Sequence, residues 1–187
     1  TCILKIFAKA RDLDKAKHIH DEIVNRGLLE KSVILGNALI DMYAKCGALA
    51  KAQEVLENLH IRDKVSWSAL IAGYVQEAQG HEALHCFRRM RREGFYPDWV
   101  TLVCVLKACA SAGTIRIGKQ IHEEIVNRGF LEKNVMLGNV LVDMYAKRGV
   151  LAVARQVLEE LPLRDVVSWN SLIAGYAQHE QGQDALT

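Results

Sequence analysis

The strongest constraint on this chain is that it repeats itself. The segment KHIHDEIVNRG at Lys17 to Gly27 returns as KQIHEEIVNRG at Lys119 to Gly129, DMYAKCG at Asp41 returns as DMYAKRG at Asp143, and VSWSALIAGY at Val65 returns as VSWNSLIAGY at Val167. All three pairs share one offset, 102 residues, so no insertion separates the copies. A fixed period of this kind is the mark of an architecture built from stacked, similar units.

The unit divides further. Ala38-Leu39-Ile40-Asp41-Met42-Tyr43 aligns with Ala69-Leu70-Ile71-Ala72-Gly73-Tyr74 after 31 residues, and with Val105-Leu106-Lys107-Ala108-Cys109 after another 35. The unit thus holds three related segments of 31, 35 and 36 residues: 33–63, 64–98 and 99–134. Residues 1–32 form a partial long segment, 135–165 repeat the short one, and 166–187 begin another ordinary one.

Each segment carries two amphipathic stretches. In the second, Leu70, Ile71 and Tyr74 follow helical spacing, a glycine-containing break falls near Gln79-Gly80, and Ala83, Leu84, Phe87 and Met90 resume the spacing. Gly47 and Gly149 mark the break in the short segments, and Gly27, Gly94 and Gly129 stand where left-handed caps would end second helices. With 2 prolines in 187 residues and no long Val/Ile/Thr runs, the chain lacks the punctuation of a β fold. The expectation is an all-α stack of helical hairpins, each burying its apolar face against its neighbours.

Composition narrows the function. A net charge of +2 gives no global field, so a polyanionic partner must be held by locally placed cations. Cys2, Cys46, Cys86, Cys104 and Cys109 are odd in number, lack a C-x-x-C pair and fall in apolar patterns, which fits buried thiols in a reducing compartment. No apolar run reaches the length of a membrane span, and no secretory leader is present. The chain opens on Thr1 rather than Met, as expected of an excised fragment, and hairpins cut at its ends are expected to expose faces prone to self-association.

Motifs with catalytic or metal-binding spacing occur but are incomplete. H-x-E occurs at His20-Asp21-Glu22 and His122-Glu123-Glu124, but the P-C-x-x-C partner of a zinc deaminase is absent and both copies occupy one repeat position, as helix-surface residues would. His81 and His85 stand at i, i+4 beside Cys86 with no third ligand at sensible spacing, so a solvent-facing pair is expected rather than zinc. With no catalytic triad order and no phosphate loop, neither enzyme activity nor a cofactor is expected.

What recurs instead is a face. Position two of successive segments reads Ile34, Val65, Val100, Met136 and Val167, all apolar; position five reads Asn37, Ser68, Val103, Asn139 and Asn170, mostly short and polar. These positions are three apart and share a helical face. The residue preceding each first helix is Ser32, Asp63, Asp98, Asn134 or Asp165. One apolar wedge and two small polar groups per module suit the reading of one unstacked base per repeat. The plainer account has position two in the core and the Asp and Asn residues serving as helix N-caps.

The chain resembles the pentatricopeptide repeat family, specifically its PLS subclass of alternating long, short and ordinary motifs. VSWNSLIAGYAQ at Val167 carries the match to the ordinary motif, PDWVTLVCVLKACASAG at Pro97 runs into the long one, and LGNALIDMYAKCG at Leu35 matches the short one. The resemblance covers essentially the whole chain. It implies a right-handed superhelical α-solenoid of helix-turn-helix repeats that binds single-stranded RNA by sequence in a plant chloroplast or mitochondrion, commonly to direct C-to-U RNA editing nearby.

It also implies roles for residues. In the family the fifth and last residues of a motif together select a base and the second wedges against it. Carried over, Asn37 with Asp63 and Asn139 with Asp165 read uridine, Ser68 with Asp98 reads guanosine more weakly, and Asn170 favours a pyrimidine. Ile34, Val65, Val100, Met136 and Val167 are the wedges. Val103 with Asn134, in the long motif, departs from the code and discriminates little. The implied RNA register is U-G-n-U-pyrimidine. Lys45 and Lys147 are the candidate phosphate contacts, and the long motifs are expected to meet protein cofactors of editing. The competing reading is a helical-repeat scaffold for protein partners, which a uniform 34-residue period would have favoured.

Overall fold

The computed structural model describes residues 2–30 and 32–179. Among them all regular structure is helical, and the chain divides into two compact units, Thr1–Pro97 and Asp98–Thr187. The N-terminal unit holds α1 (Cys2–Ala10), α2 (Leu13–Asn25), α3 (Val33–Lys45), α4 (Leu49–Asn58), α5 (Lys64–Gln76) and α6 (Gly80–Arg92). The C-terminal unit holds α7 (Trp99–Ala112), α8 (Ile115–Asn127), α9 (Val135–Lys147), α10 (Leu151–Glu160) and α11 (Val166–Gln178). The second half of the last segment, from residue 180, lies outside the described residues, as does the side chain of Cys2.

Each unit is a stack of antiparallel hairpins in two layers. In the N-terminal unit α3 packs between α1 and α5, forming the first-helix layer, while α2 and α4 each pack on their own hairpin partner and on the next first helix. The C-terminal unit repeats this plan with α9 between α7 and α11, and with α8 and α10 behind. The apolar residues of the periodic stretches supply the core: Leu39, Ile40, Tyr43, Trp67, Leu70 and Ile71 in one unit, Leu102, Leu106, Leu141 and Tyr145 in the other, all at most 1% exposed. No described helix is long and apolar enough to cross a membrane.

Small residues set how closely first helices approach. A Cβ on Gly73 would fall 2.5 Å from the Cβ of Ala44, and one on Gly175 would fall 2.6 Å from the Cβ of Ala146, so α3 and α5, and likewise α9 and α11, meet almost backbone to backbone.

The hairpin breaks share one geometry with unequal sequence support. Gly47 takes φ +75°, with its N–H on Ala44 O and the next N–H on Tyr43 O. The break between α5 and α6 makes the same two bonds from Ala78 and Gln79, but there the left-handed residue is Ala78, at φ 57°. Gly80, the glycine seen in the sequence, is instead the buried first residue of α6. An alanine in that conformation costs on the order of 1 kcal/mol, which the stacking of α6 on α5 has to offset.

Candidate nucleic-acid interface

The first helices start at Val33, Lys64, Trp99, Val135 and Val166, which puts position two in the first turn of each. None of these side chains joins the core. Ile34 is 71% exposed, Val65 50%, Val100 46%, Met136 57% and Val167 56%. A single exposed aliphatic means little, but the same helical position exposed in every first helix from α3 to α11, one turn from fully buried Leu39, Leu70 or Leu141, is a built feature.

Beside this row the polar residues pair. Asn37, half-buried on α3, donates through Nδ2 to Asp63 Oδ1 at 3.1 Å and Oδ2 at 3.3 Å. Asn139, on α9, does the same to Asp165 at 3.0 and 3.1 Å. The aspartates are also the N-caps of the following first helices: Asp63 Oδ1 accepts from the N–H groups of Val65 and Ser66, and Asp165 Oδ1 from that of Ser168. The plain N-cap account is therefore satisfied by the same atoms that meet the asparagines. In each carboxylate Oδ1 accepts from the helix start as well as from the asparagine, while Oδ2 accepts from the asparagine and keeps acceptor capacity to spare.

Both aspartates are held ionised. Partial burial pushes the Asp63 carboxyl up, but hydrogen bonds from the Ser66 backbone and side chain, from Asn37 and from Val65 outweigh it, and the net shift is downward. The Asp165 carboxyl is lowered chiefly by the Ser168 backbone N–H and then by Asn139. Each pair thus presents a carboxylate acceptor next to an amide donor.

The other positions differ. Ser68, on α5, donates its Oγ to Lys64 O at 2.7 Å, and Asp98 caps α7 through the backbone and hydroxyl of Thr101. These two residues belong to different units, and each is placed here within its own. Val103 is 6% exposed and offers no polar group, and Asn134 starts α9 without a side-chain cap bond. Asn170 is exposed on α11. Lys45 and Lys147 are each ion-paired one turn back, to Asp41 at 2.6 Å and Asp143 at 2.8 Å. That spacing, D-x-x-x-K, was visible in the sequence.

Sequence reasoning missed the third position. Ser66 is completely buried, and its Oγ bonds Asn37 Oδ1 at 2.5 Å across the helix pair as well as Asp63 Oδ1 at 3.0 Å. Thr101 and Ser168 are equally buried at the same position.

The H-x-E histidines sit on the second-helix layer and are half-buried rather than on the open helix surface. His20 Nδ1 meets the Tyr43 hydroxyl at 3.0 Å, and His122 meets Tyr145 at 3.1 Å, each pair in edge-on ring contact. Burial pulls the His20 pKa down, against Asp21 and Glu54, and pushes Tyr43 up to about 12, so at neutral pH the tyrosine donates to an uncharged imidazole. His122 is lowered by burial too, against Glu160 and Glu123. Because the folded pKa lies below the unfolded value of about 6.5, the unfolded state takes up protons first as pH falls. Stability is therefore expected to drop as pH falls below about 6.5, and a His20→Gln/His122→Gln chain to lose less there. Urea midpoints compared across the range check this, and identical pH dependence of the two chains would refute it.

His81 and His85 are exposed, and no group of three metal-ligating side chains occurs among the described residues. Cys86 and Cys109 are buried thiols outside any disulfide, and burial raises the Cys86 thiol to about 12.

Comparison with known proteins agrees on one family. The model of the PPR repeat family matches residues 62–111, and that of the PPR repeat matches 1–28, 37–62 and 167–187. A putative pentatricopeptide repeat-containing protein of Arabidopsis thaliana is 37% identical over 99% of this chain, and a mitochondrial one is 41% identical over 96%. A chloroplastic one is 36% identical over 98%. The chain spans only 17% to 30% of the lengths of these three relatives. Among solved structures, the pentatricopeptide repeat protein PPR10 in complex with an 18-nt psaJ RNA element superimposes with a TM-score of 0.74 over 97% of this chain and 27% of that one, at 21% identity. PPR10 from maize gives 0.66 over 98% of this chain and 28% of that one, at 22%.

Proposed function

This chain belongs to the pentatricopeptide repeat family, and we propose that it is a recognition module for single-stranded RNA, reading about one base per hairpin within an organellar C-to-U editing factor of the PLS type. The observation that carries the reading is the hydrogen-bonded Asn–Asp pair, built twice on α3 and α9 beside an exposed apolar side chain. A flipped-out base has an apolar face and an edge with donors and acceptors. Ile34 and Val65, or Met136 and Val167, offer the first a surface; the second amide N–H and carboxylate Oδ2 of each pair offer the edge a donor and an acceptor side by side. Uridine, with N3–H next to a carbonyl, satisfies both.

The family resemblance, rather than a hydrogen-bonded pair, makes Ser68 a weaker guanosine reader and assigns Asn170 to a pyrimidine. Val103, buried and apolar, has nothing to offer a base edge, so the long hairpin with Asn134 tolerates any base and is the hairpin best suited to a protein cofactor of editing. Lys45 and Lys147 would approach phosphates by exchanging Asp41 and Asp143 for the backbone; such exposed pairs hold by at most about 1 kcal/mol. Chloroplastic and mitochondrial relatives support an organellar setting.

The test is binding of an oligonucleotide carrying U-G-n-U-pyrimidine against scrambled controls, with no partner protein present. Each replaced uridine is expected to weaken binding about tenfold, the worth of one charge-assisted hydrogen bond, whereas the third base is expected to be exchangeable. Equal affinity for matched and scrambled RNA would overturn readout, and no RNA binding at all would favour the protein scaffold.

A further inference from the structure

The chain hides very few polar side chains: among the described residues Ser66, Thr101, Asn139 and Ser168 are the buried ones. Three of the four share one register. Asn139 is a position-five reader, and the three hydroxyls stand at position three of their hairpins. Position three reads Leu35, Ser66, Thr101, Leu137 and Ser168, while the residue before each first helix reads Ser32, Asp63, Asp98, Asn134 and Asp165. A hydroxyl is present wherever an aspartate precedes, and leucine wherever one does not. Burying a hydroxyl is unfavourable unless it is hydrogen-bonded, and the helix start supplies a partner: Asp63 with Ser66 and Asp165 with Ser168 form capping boxes.

For Ser66, capping alone does not account for the bonds. Asp63 Oδ1 already takes the backbone N–H groups of Val65 and Ser66. The Ser66 hydroxyl reaches past its own helix start to the Asn37 carbonyl oxygen, 29 residues away on α3. That contact fixes the remaining end of the amide: Nδ2 is tied to the Asp63 carboxylate, Oδ1 to Ser66, and one N–H is left pointing away from both. The second copy makes only the capping bonds, with the Asp165 N–H donating to Ser168 Oγ at 3.0 Å. Ser168 Oγ donates to the Asp165 carbonyl at 2.8 Å, and Asn139 Oδ1 is buried without a hydrogen-bond partner.

We infer that the position-three hydroxyl of α5 is a positioning residue for base selection: Ser66 orients the Asn37 amide, on which the hairpin before it depends for its choice of base. This rests on the base-reading role proposed above for the Asn–Asp pairs. It also extends the readout from two residues and a wedge to a third polar group that touches no RNA. Leu35 and Leu137 leave their preceding hairpins without it.

Two measurements on the chain separate the inference from the reading beneath it. In Ser66→Ala the preference for uridine over cytidine at the base facing Asn37 and Asp63 is expected to fall about tenfold, the fold-change of one lost bond to a buried acceptor. Preferences at the other positions should hold, and Ser66→Thr, which keeps the hydroxyl as Thr101 does, should restore the ratio. An equal loss for every base would reduce Ser66 to a cap, and no loss would remove it from selection. The second measurement needs no RNA. The side-chain amide of Asn37, followed by NMR, should show two well-separated, slowly exchanging protons in the unsubstituted chain and fast-exchanging ones in Ser66→Ala. An unchanged amide would overturn the positioning role whatever the RNA does. If the unsubstituted chain fails to prefer uridine, the base-reading proposal falls, and the amide signal still decides whether Ser66 holds Asn37.

Discussion

Replacing Gly73 by alanine is expected to destabilise the N-terminal unit by about 1–3 kcal/mol, the usual cost of overpacking a core, although the same change in a free helix would gain about 1 kcal/mol. Two effects of opposite sign compete, and distance decides between them. The new Cβ would lie 2.5 Å from the Cβ of Ala44 and 3.4 Å from its Cα, atoms that move only if α3 moves. Separating α3 from α5 loosens contacts around Leu39, Ile40, Trp67 and Leu70, all fully buried. Gly175→Ala should behave alike against Ala146. Gly36→Ala is the informative contrast. Its Cβ would be just as close to a neighbour, 2.5 Å, but that neighbour is the Cδ2 of Leu59, the free end of a side chain that can rotate. Its cost should be much smaller. Urea midpoints on the three variants measure the difference, and a Gly73→Ala chain as stable as the parent would show that the helices are not held by this approach.

Much of this architecture was legible beforehand because helical periodicity and a repeat fix faces. Once position two and position five lie three apart on an amphipathic helix, their sharing a face follows; which face is open does not. Exposure of Ile34 and Met136 depends on what the second helices cover, and only the packing shows that they lie on the other side. Burial also depends on neighbours beyond the motif. Trp67 and Trp169 occupy the same place in VSW segments 102 residues apart, yet the first is fully buried, with the Arg89 guanidinium of α6 over its ring, and the second is 48% exposed. The residues matching α6 in the second copy lie outside those described.

What the sequence hid were contacts made across helices by residues with an acceptable local explanation. Ser66 has a local role as the capping-box partner of Asp63, and only the register of α3 against α5 points its hydroxyl at Asn37. His20 reads as an exposed member of H-x-E, and Tyr43 as a core aromatic 23 residues away; their bond appears when α2 packs on α3. Ala78 shows the reverse case, a left-handed break without the glycine that announces one. In each instance the missing signal was tertiary, and the 102-residue recurrence was its one trace in the sequence, since His122–Tyr145 repeats the histidine contact and Ser168 the buried serine.

The open face sets up the largest expected effect on function. A chain carrying Ile34→Ala, Val65→Ala, Val100→Ala, Met136→Ala and Val167→Ala should keep its stability within about 1–2 kcal/mol, because surface substitutions are nearly neutral and alanine favours helix. The same truncation at fully buried Leu39, Leu70 or Leu141 should cost about 2–5 kcal/mol for each residue. RNA affinity is where the five-fold variant should differ. If each wedge loses some 30 Å² of apolar contact with a base, the transfer coefficient gives about 0.7 kcal/mol per hairpin, and distant sites add. The sum, about 3–4 kcal/mol, corresponds to several hundred-fold weaker binding. Base preference should survive among the complexes that still form, because Asn37, Asp63, Asn139 and Asp165 are untouched. Titration with the matched oligonucleotide, alongside a urea midpoint on the same sample, measures both halves. Unchanged affinity would mean that bases do not stack on this row and would move the apolar face from RNA to protein contacts. Loss of stability in step with affinity would mean that the row serves the fold, against its exposure in every first helix from α3 to α11.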